Sequence, residues 1–532
     1  MTISRNYHSL FYIGGVMLLA ASLSLPPFFM VLSQAILIVN WIFEEKFKTR
    51  MQMIWGRKSL VLFLSIFLIH IIWLIPTRDF SFALNDLKIK LPLLILPLVL
   101  ATSRRLRENE IKFILLSFCG GLIIHSFFSI SRLTTITTVP MADFRDLSVF
   151  ISHIRLSLLI SLAIFSLFYL LITRTFQWQR ILRNCLWVSL TWLVIYLLVL
   201  QSVTGIIVFI ITGIFFILRF YNKIEQQYWY IKYPFVYGIA AAVLLVFAYS
   251  FVVMLSFSGK PPDEIYLKSH TEMGNPYIHD LNELQMENGN FIWINICEDE
   301  LRHEWNRRSS IDFNGYDMNG HDIRYTLIRY LTSRGLDKDA VGVHQLSETD
   351  IINIERGMSN YIYQHNKWIY PRIYQIIWEI DNYRKGGNPS GHSVAQRFEY
   401  WKSAMDIIKD NILLGVGTGD VGLAWENHYA GSPSSLAPEW QLRAHNQFLT
   451  FLITFGITGF IIIISAIIAP FFMEKRHWDI LPFVFIVIAI LSMLTEDTLE
   501  TQAGATFFAF FYSLFIFAHQ KNEVNEVDGE GE

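Results

Sequence analysis

The chain is decided by Gln396–Leu452, which opens with QRFEYWKSAMDIIKDNILLGVGTGD (396–420) and closes with RAHNQFLTFL (443–452). A polar, glycine-punctuated segment here runs into an apolar helix. Phe398, Trp401, Met405 and Ile408 recur at helical spacing as an apolar stripe, with Arg397 one turn before Trp401. Ser393 and Gln396 read as a capping box at the start of this helix, and it is expected to stop near Asn411. Gly415, Gly417 and Gly419 then form a loop free to turn sharply and approach a ligand closely, ending at Asp420. Arg443, His445 and Asn446 follow where the chain re-enters an apolar run. A fixed charge and a titratable imidazole at a membrane boundary point to chemistry on something anchored there.

Outward from that stretch the composition is that of a membrane protein. Of 532 residues 53% are hydrophobic and only 17% charged, with a mean hydropathy of +0.38. Several apolar runs reach the roughly 20 residues that a spanning helix needs. A formal net charge of -2 gives no reason to invoke nucleic acid. Cys119 and Cys185 lie in apolar runs and Cys297 stands alone, so they build neither a disulfide framework nor a zinc cluster.

Nine spans are predicted over 1–257. The first, about 10–25, also admits a signal-peptide reading, but a second apolar run follows at once after Pro27. Lys48, Arg50, Arg57 and Lys58 after the second span, and Arg104, Arg105 and Arg107 after the fourth (about 89–103), mark cytoplasmic loops. The sixth span begins near His153 and Arg155. Residues 258–445 form a large polar segment, 446–519 add three spans, and 520–532 are an acidic tail. The expected architecture is an all-α polytopic membrane protein of about twelve spans, both termini cytoplasmic, with one large, mainly helical extracytoplasmic domain. Within that domain IRYTLIRYLTSRGL, ETDIINIERGMSNYIY and WIYPRIYQIIWEIDNYRK read as helices and FIWINI as a short strand, while 261–319 reads as mostly irregular.

Arginine four residues before tryptophan, the GVGTG loop, and HNQFL leading into FGITGF resemble the signature of the O-antigen ligase and polymerase family. The resemblance implies a GT-C-like glycosyltransferase of the bacterial inner membrane, with its large loop periplasmic and a role in lipopolysaccharide biosynthesis. The implied donor is an undecaprenyl-diphosphate-linked glycan, and the implied acceptor is lipid A-core or another glycan. Membrane lipids surround it, and no cofactor is expected. It also implies that His445 is catalytic and that Arg397 binds the diphosphate, with Arg155 and Arg443 as further candidates. Glu496 is a supporting candidate that would pair an arginine or bind acceptor hydroxyls; an ordinary solvated loop carboxylate is the competing reading for it and for Asp497. Asn446 either orients His445 or caps the next span, Trp401 reads as packing, and Gly415, Gly417 and Gly419 support the site. One departure stands out. Many members carry arginine in an S-R-x-G motif, whereas this chain has Ser202, Val203, Thr204 and Gly205.

Such chemistry needs arginines to hold the leaving diphosphate and one base for the attacking hydroxyl, without a metal. A ligase is the leading reading, with a chain polymerase or a protein O-glycosyltransferase as alternatives. Outside the enzymes, a lipid-glycan flippase or other transporter shares the span count.

Overall fold

The computed structural model describes residues 2–45, 47–135, 148–173, 180–221, 229–257, 266–283, 285–365, 370–431 and 434–519. The acidic tail lies outside these residues. The membrane part opens with α1 (Thr2–Ser22), α2 (Pro27–Glu44), α3 (Phe47–Gly56), α4 (Lys58–Ile72), α5 (Phe80–Lys90) and α6 (Pro92–Thr102). It continues through α7 (Glu108–Thr135), α8 (His153–Ile172), α9 (Arg180–Val199), α10 (Val203–Phe220) and α11 (Trp229–Ser256). The polar segment holds a two-stranded hairpin, β1 (Met286–Glu287) and β2 (Asn290–Phe291), then α12 (Glu298–Arg308), α13 (Ile323–Ser333), α14 (Ala340–His344), α15 (Glu348–Glu355), α16 (Ile362–His365) and α17 (Tyr370–Arg384). The deciding stretch contributes α18 (Ser393–Asp410) and α19 (Val421–Gly431) and leads into α20 (Gln447–Met473), followed by α21 (Ile480–Thr495) and α22 (Gln502–Tyr512).

The chain is thus a helical polytopic membrane protein. Seven described helices are long and apolar enough to cross a bilayer, or eight if α3 and α4, bent by 98° at their junction, count as one. Three further apolar helices are shorter, one at the start of the described chain and two at its end. The twelve expected spans are not matched one for one, and the reason is local. The apolar run predicted at about 89–103 is divided at Pro92, which has no amide proton to donate and starts α6 afresh after α5. α8 is the most enclosed, buried along almost its whole length at the centre of a large core rich in Leu, Ile and Phe.

The basic loops gather at one end of the bundle. Arg57 forks onto Glu474 at 2.8 and 2.9 Å and also donates to the Phe517 carbonyl, and the Leu106 amide donates to the Ala518 carbonyl. The N-terminus of α20 lies toward the opposite end of the bundle.

The polar segment has its own core of Trp305, Ile323, Leu327, Leu331 and Trp378. Arg329 is buried there, its Nε donating to Glu287 at 2.7 Å and its guanidinium lying 4.1 Å from the Trp378 ring centre. The three expected helices are α13, α15 and α17. The charged helix α12 falls in the region read as irregular, and of FIWINI only Phe291 lies in a strand.

α18 begins without the expected capping box. Its N-cap is His392, with no side-chain cap, and Ser393 is already helical. Glu379 of α17 replaces the box by accepting from the Val394 amide at 2.7 Å, a carboxylate placed at the positive end of the helix.

α20 is interrupted two and a half turns in. Gly456 has φ 60° and ψ -169°, and the carbonyls and amides released by the break are taken up by 412–417. Val416 and Gly417 donate to the Ile453 and Thr454 carbonyls at 2.9 and 3.0 Å, while Ile457 donates to the Ile412 carbonyl at 2.8 Å. Irregular backbone is tolerated at this depth because it is paired inside the protein.

Candidate active site

His445 sits between two clamped neighbours. The Ala444 carbonyl accepts from Trp401 Nε1 at 3.0 Å, and the Asn446 amide donates to Asp497 Oδ1 at 3.1 Å. Tyr400, beside Trp401 on α18, donates to the Trp440 carbonyl and places its ring 5.8 Å from the imidazole. Under these restraints His445 adopts φ 47°, a left-handed conformation that costs a non-glycine residue about 1–2 kcal/mol. Trp401 therefore packs through a bond that fixes the backbone before the histidine. Asn446 is a cap: its Oδ1 accepts from the Phe448 and Leu449 amides, and its Nδ2 donates to the Leu494 carbonyl.

Three arginines from three elements face the imidazole electrostatically: Arg397 on α18, Arg443 before α20, and Arg155 in the first turn of α8. Arg397 donates to the Ser393 carbonyl at 3.1 Å and stands 3.8 Å from Glu496; Arg443 stands 3.8 Å from Glu500. Both ion-pair distances exceed a hydrogen bond. The Nε groups of Arg155 and Arg397 are buried with no partner among the described residues. Arg50, Arg356 and Arg476 elsewhere in the chain carry the same unpaired Nε, so what sets Arg155 and Arg397 apart is that both also face His445. The N-termini of α8 and α20 add their positive dipole ends.

The carboxylates are not solvated loop groups, which corrects that reading of the sequence. Glu496 and Asp497 have side chains 14% and 8% exposed. Burial raises the Glu496 carboxyl above its ordinary value despite His445, Arg155 and Arg397 nearby. Burial, reinforced by Glu500, pushes Asp497 up to about 6. Glu500 goes the other way: burial opposes its ionisation, but Lys90, Gln447 and Arg443 hold it down to about 2. The His445 imidazole is held below its ordinary value chiefly by burial; Glu496 opposes the shift, and Arg397, Arg443 and Arg155 add to it.

The structure thus brings together Arg155, Arg397, Arg443, His445 and Glu496. The three glycines do something else. A Cβ on Gly415 would lie 2.4 Å from the Thr454 carbonyl oxygen, and one on Gly419 would lie 2.4 Å from the Asp79 carbonyl oxygen. The close approach that glycine allows is to the protein's own backbone, so these residues join α18 to α20 and to the α4–α5 turn rather than framing a ligand loop. Asp420 serves the same joint, accepting from the Arg78 and Asp79 amides at 2.7 and 3.1 Å. Sequence reasoning missed Tyr400, Gln447, Glu500 and Lys90. A lysine flanking an apolar run was the available signal for the last. Among the described residues, no three His, Cys, Asp or Glu side chains are grouped as a metal site would require.

No curated protein matches the chain. A family model does: residues 353–464, which include Arg397, Trp401, the glycine joint, Arg443, His445 and Asn446, match that of the O-antigen ligases. That family is of the glycosyltransferase type, and it takes a lipid-linked glycan and an acceptor. Over those residues this polytopic membrane protein is similar to the O-antigen ligases.

Proposed function

We propose that the protein transfers a glycan from undecaprenyl diphosphate to lipid A-core at the periplasmic face of the bacterial inner membrane, in a bundle of about twelve membrane-crossing or membrane-embedded segments. The observation that carries this reading is the convergence of three guanidinium groups on one half-buried histidine, two of them with unpaired buried Nε–H donors. The acceptor hydroxyl oxygen bonds to the anomeric carbon as the bond from that carbon to the phosphate oxygen breaks. The electron pair leaves on the diphosphate, where Arg397, Arg155 and Arg443 stabilise it, and the hydroxyl proton passes to His445. Arg155 takes the place of the arginine missing at Val203. In support, Gly205 packs so closely on α8 that its Cβ would meet the Ser157 side chain, two residues from Arg155.

The test is reconstitution of the purified protein in lipid nanodiscs with undecaprenyl-diphosphate-linked glycan and lipid A-core, with products resolved on a gel. Glycosylated lipid A-core supports the ligase. Longer lipid-linked chains would instead make the protein a polymerase, and no product from competent substrates would overturn the reading. Transfer is expected to persist in excess EDTA, because guanidinium groups supply the cationic charge. Loss on chelation with recovery on added Mg²⁺ or Mn²⁺ would contradict that.

The pH profile follows from the groups facing His445: Arg397 and Tyr400 from α18, Arg155 from α8, Glu496 and Asp497 after α21, and Arg443 on its own segment. The working base is the neutral imidazole, present above its pKa. That pKa is lowered, so kcat/KM is expected to hold at about pH 6.5 and to fall only as the pH drops further. An acid limb centred above about pH 6.5 in a kcat/KM titration would count against this assignment.

A further inference from the structure

α5 lies outside the matched stretch and has no role in the mechanism above, yet one face of it carries Phe82, Asp86 and Lys90 at successive four-residue steps. Lys90 is only 3% exposed and donates to Asp86 Oδ1 at 2.5 Å and to Glu500 Oε2 at 3.0 Å. Glu500 is pinned at its other oxygen by Gln447 Nε2 at 3.0 Å, and Gln447 in turn accepts from the Leu499 amide at 2.7 Å. Arg443 approaches the same Glu500 oxygen that Lys90 holds, but only to 3.8 Å, with its guanidinium 5.3 Å from the Phe82 ring centre. Charges therefore alternate along Asp86, Lys90, Glu500 and Arg443. The start of α5 is itself fixed: the Phe82 amide donates to Asp79, and the Asp79 amide to Asp420.

We infer that Lys90 is a positioning residue for substrate binding: it neutralises Glu500 and so keeps Arg443 from collapsing onto that carboxylate, leaving the guanidinium over Phe82 free to fork onto the donor's diphosphate. A buried carboxylate that loses its lysine takes the nearest remaining cation, and that cation is Arg443. A guanidinium held bidentately by Glu500 has spent the geometry that phosphate needs. This inference rests on the reading of Arg443 as a diphosphate ligand.

The experiment measures donor KM and kcat for nanodisc-reconstituted full-length protein, using undecaprenyl-diphosphate-linked glycan and lipid A-core. Lys90→Met is expected to raise donor KM by about tenfold with much less change in kcat, the loss of one charge-assisted hydrogen bond to the diphosphate. The double variant Lys90→Met with Glu500→Gln removes the trap and is expected to recover most of that loss. Phe82→Ala, which leaves the buried charges intact, is expected to raise KM about two- to fivefold. Should Lys90→Met fail to fold, the double variant and Phe82→Ala decide. An unchanged KM in the folded variants, or an equal loss in Lys90→Met and the double variant, would overturn the proposal. Arg443→Ala separates the two levels. If it leaves donor KM unchanged while the wild type transfers, the diphosphate role of Arg443 is wrong and the Lys90 proposal falls with it. If it raises KM while Lys90→Met does not, only the Lys90 proposal fails.

Discussion

His445→Ala is expected to lower glycan transfer by roughly 10²–10⁴-fold, the usual contribution of a general base, while donor binding through the arginines is retained. The imidazole is the titratable group among three arginines whose lowered pKa leaves it able to accept a proton near neutrality. Its φ of 47° is enforced from both sides by Trp401 and Asp497, so the substitution leaves the held backbone in place. Donor KM close to that of the wild type alongside the fall in kcat is the signature to look for. A variant that keeps more than about a tenth of wild-type kcat would remove His445 from the mechanism.

Gly456→Ala is expected to destabilise the protein by about 3 kcal/mol or more. Its backbone conformation is one that essentially only glycine adopts, which alone accounts for about 1–3 kcal/mol. A Cβ there would lie 2.4 Å from the Leu413 carbonyl carbon, so the 412–417 segment has to move and its bonds to the broken helix stretch. Gly14→Ala is the matched control, since nothing lies within 4 Å of its Cβ position. Thermal unfolding in detergent compares the two: a Tm for Gly456→Ala equal to that of Gly14→Ala would show that the break carries no such constraint.

Much of this was readable from sequence because it rests on short-range pattern. The extent of α18 to Asn411 and the helices α13, α15 and α17 follow from apolar periodicity, but the buried face of α18 does not: it runs through Gln396, Tyr400, Ala404 and Ile407, while Phe398 and Met405 of the expected stripe are exposed. Arg397 and His445 were found through motif resemblance, and the structure places them at one site. What escaped was long-range. Glycines at 415, 417 and 419 declare that some backbone comes close, but not whether it belongs to a ligand or to residues 77–79 and 454–456. Glu496 and Asp497 follow an apolar run exactly as a solvated turn would, and only the packing of α20 and α8 around them shows otherwise. Lys90 was absorbed into a predicted span because its partner Glu500 lies 410 residues away. The span count suffered similarly, since apolar runs state length but not where a proline or a bend divides them.

The interruption at Gly456 also bears on how the chain is made. On its own in a bilayer, 447–473 satisfies its backbone best as one unbroken helix, because unpaired amides and carbonyls in hydrocarbon cost several kcal/mol each. The break becomes favourable only when 412–417 is there to accept and donate. That segment is in turn held by the α4–α5 turn, synthesised more than 300 residues earlier: Thr418 donates to the His70 carbonyl and the Gly419 amide to Thr77. The break is therefore expected to form after the helix has inserted rather than during insertion. On this account the end of α20 beside His445 is expected to take its final form only when the early and late parts of the chain meet.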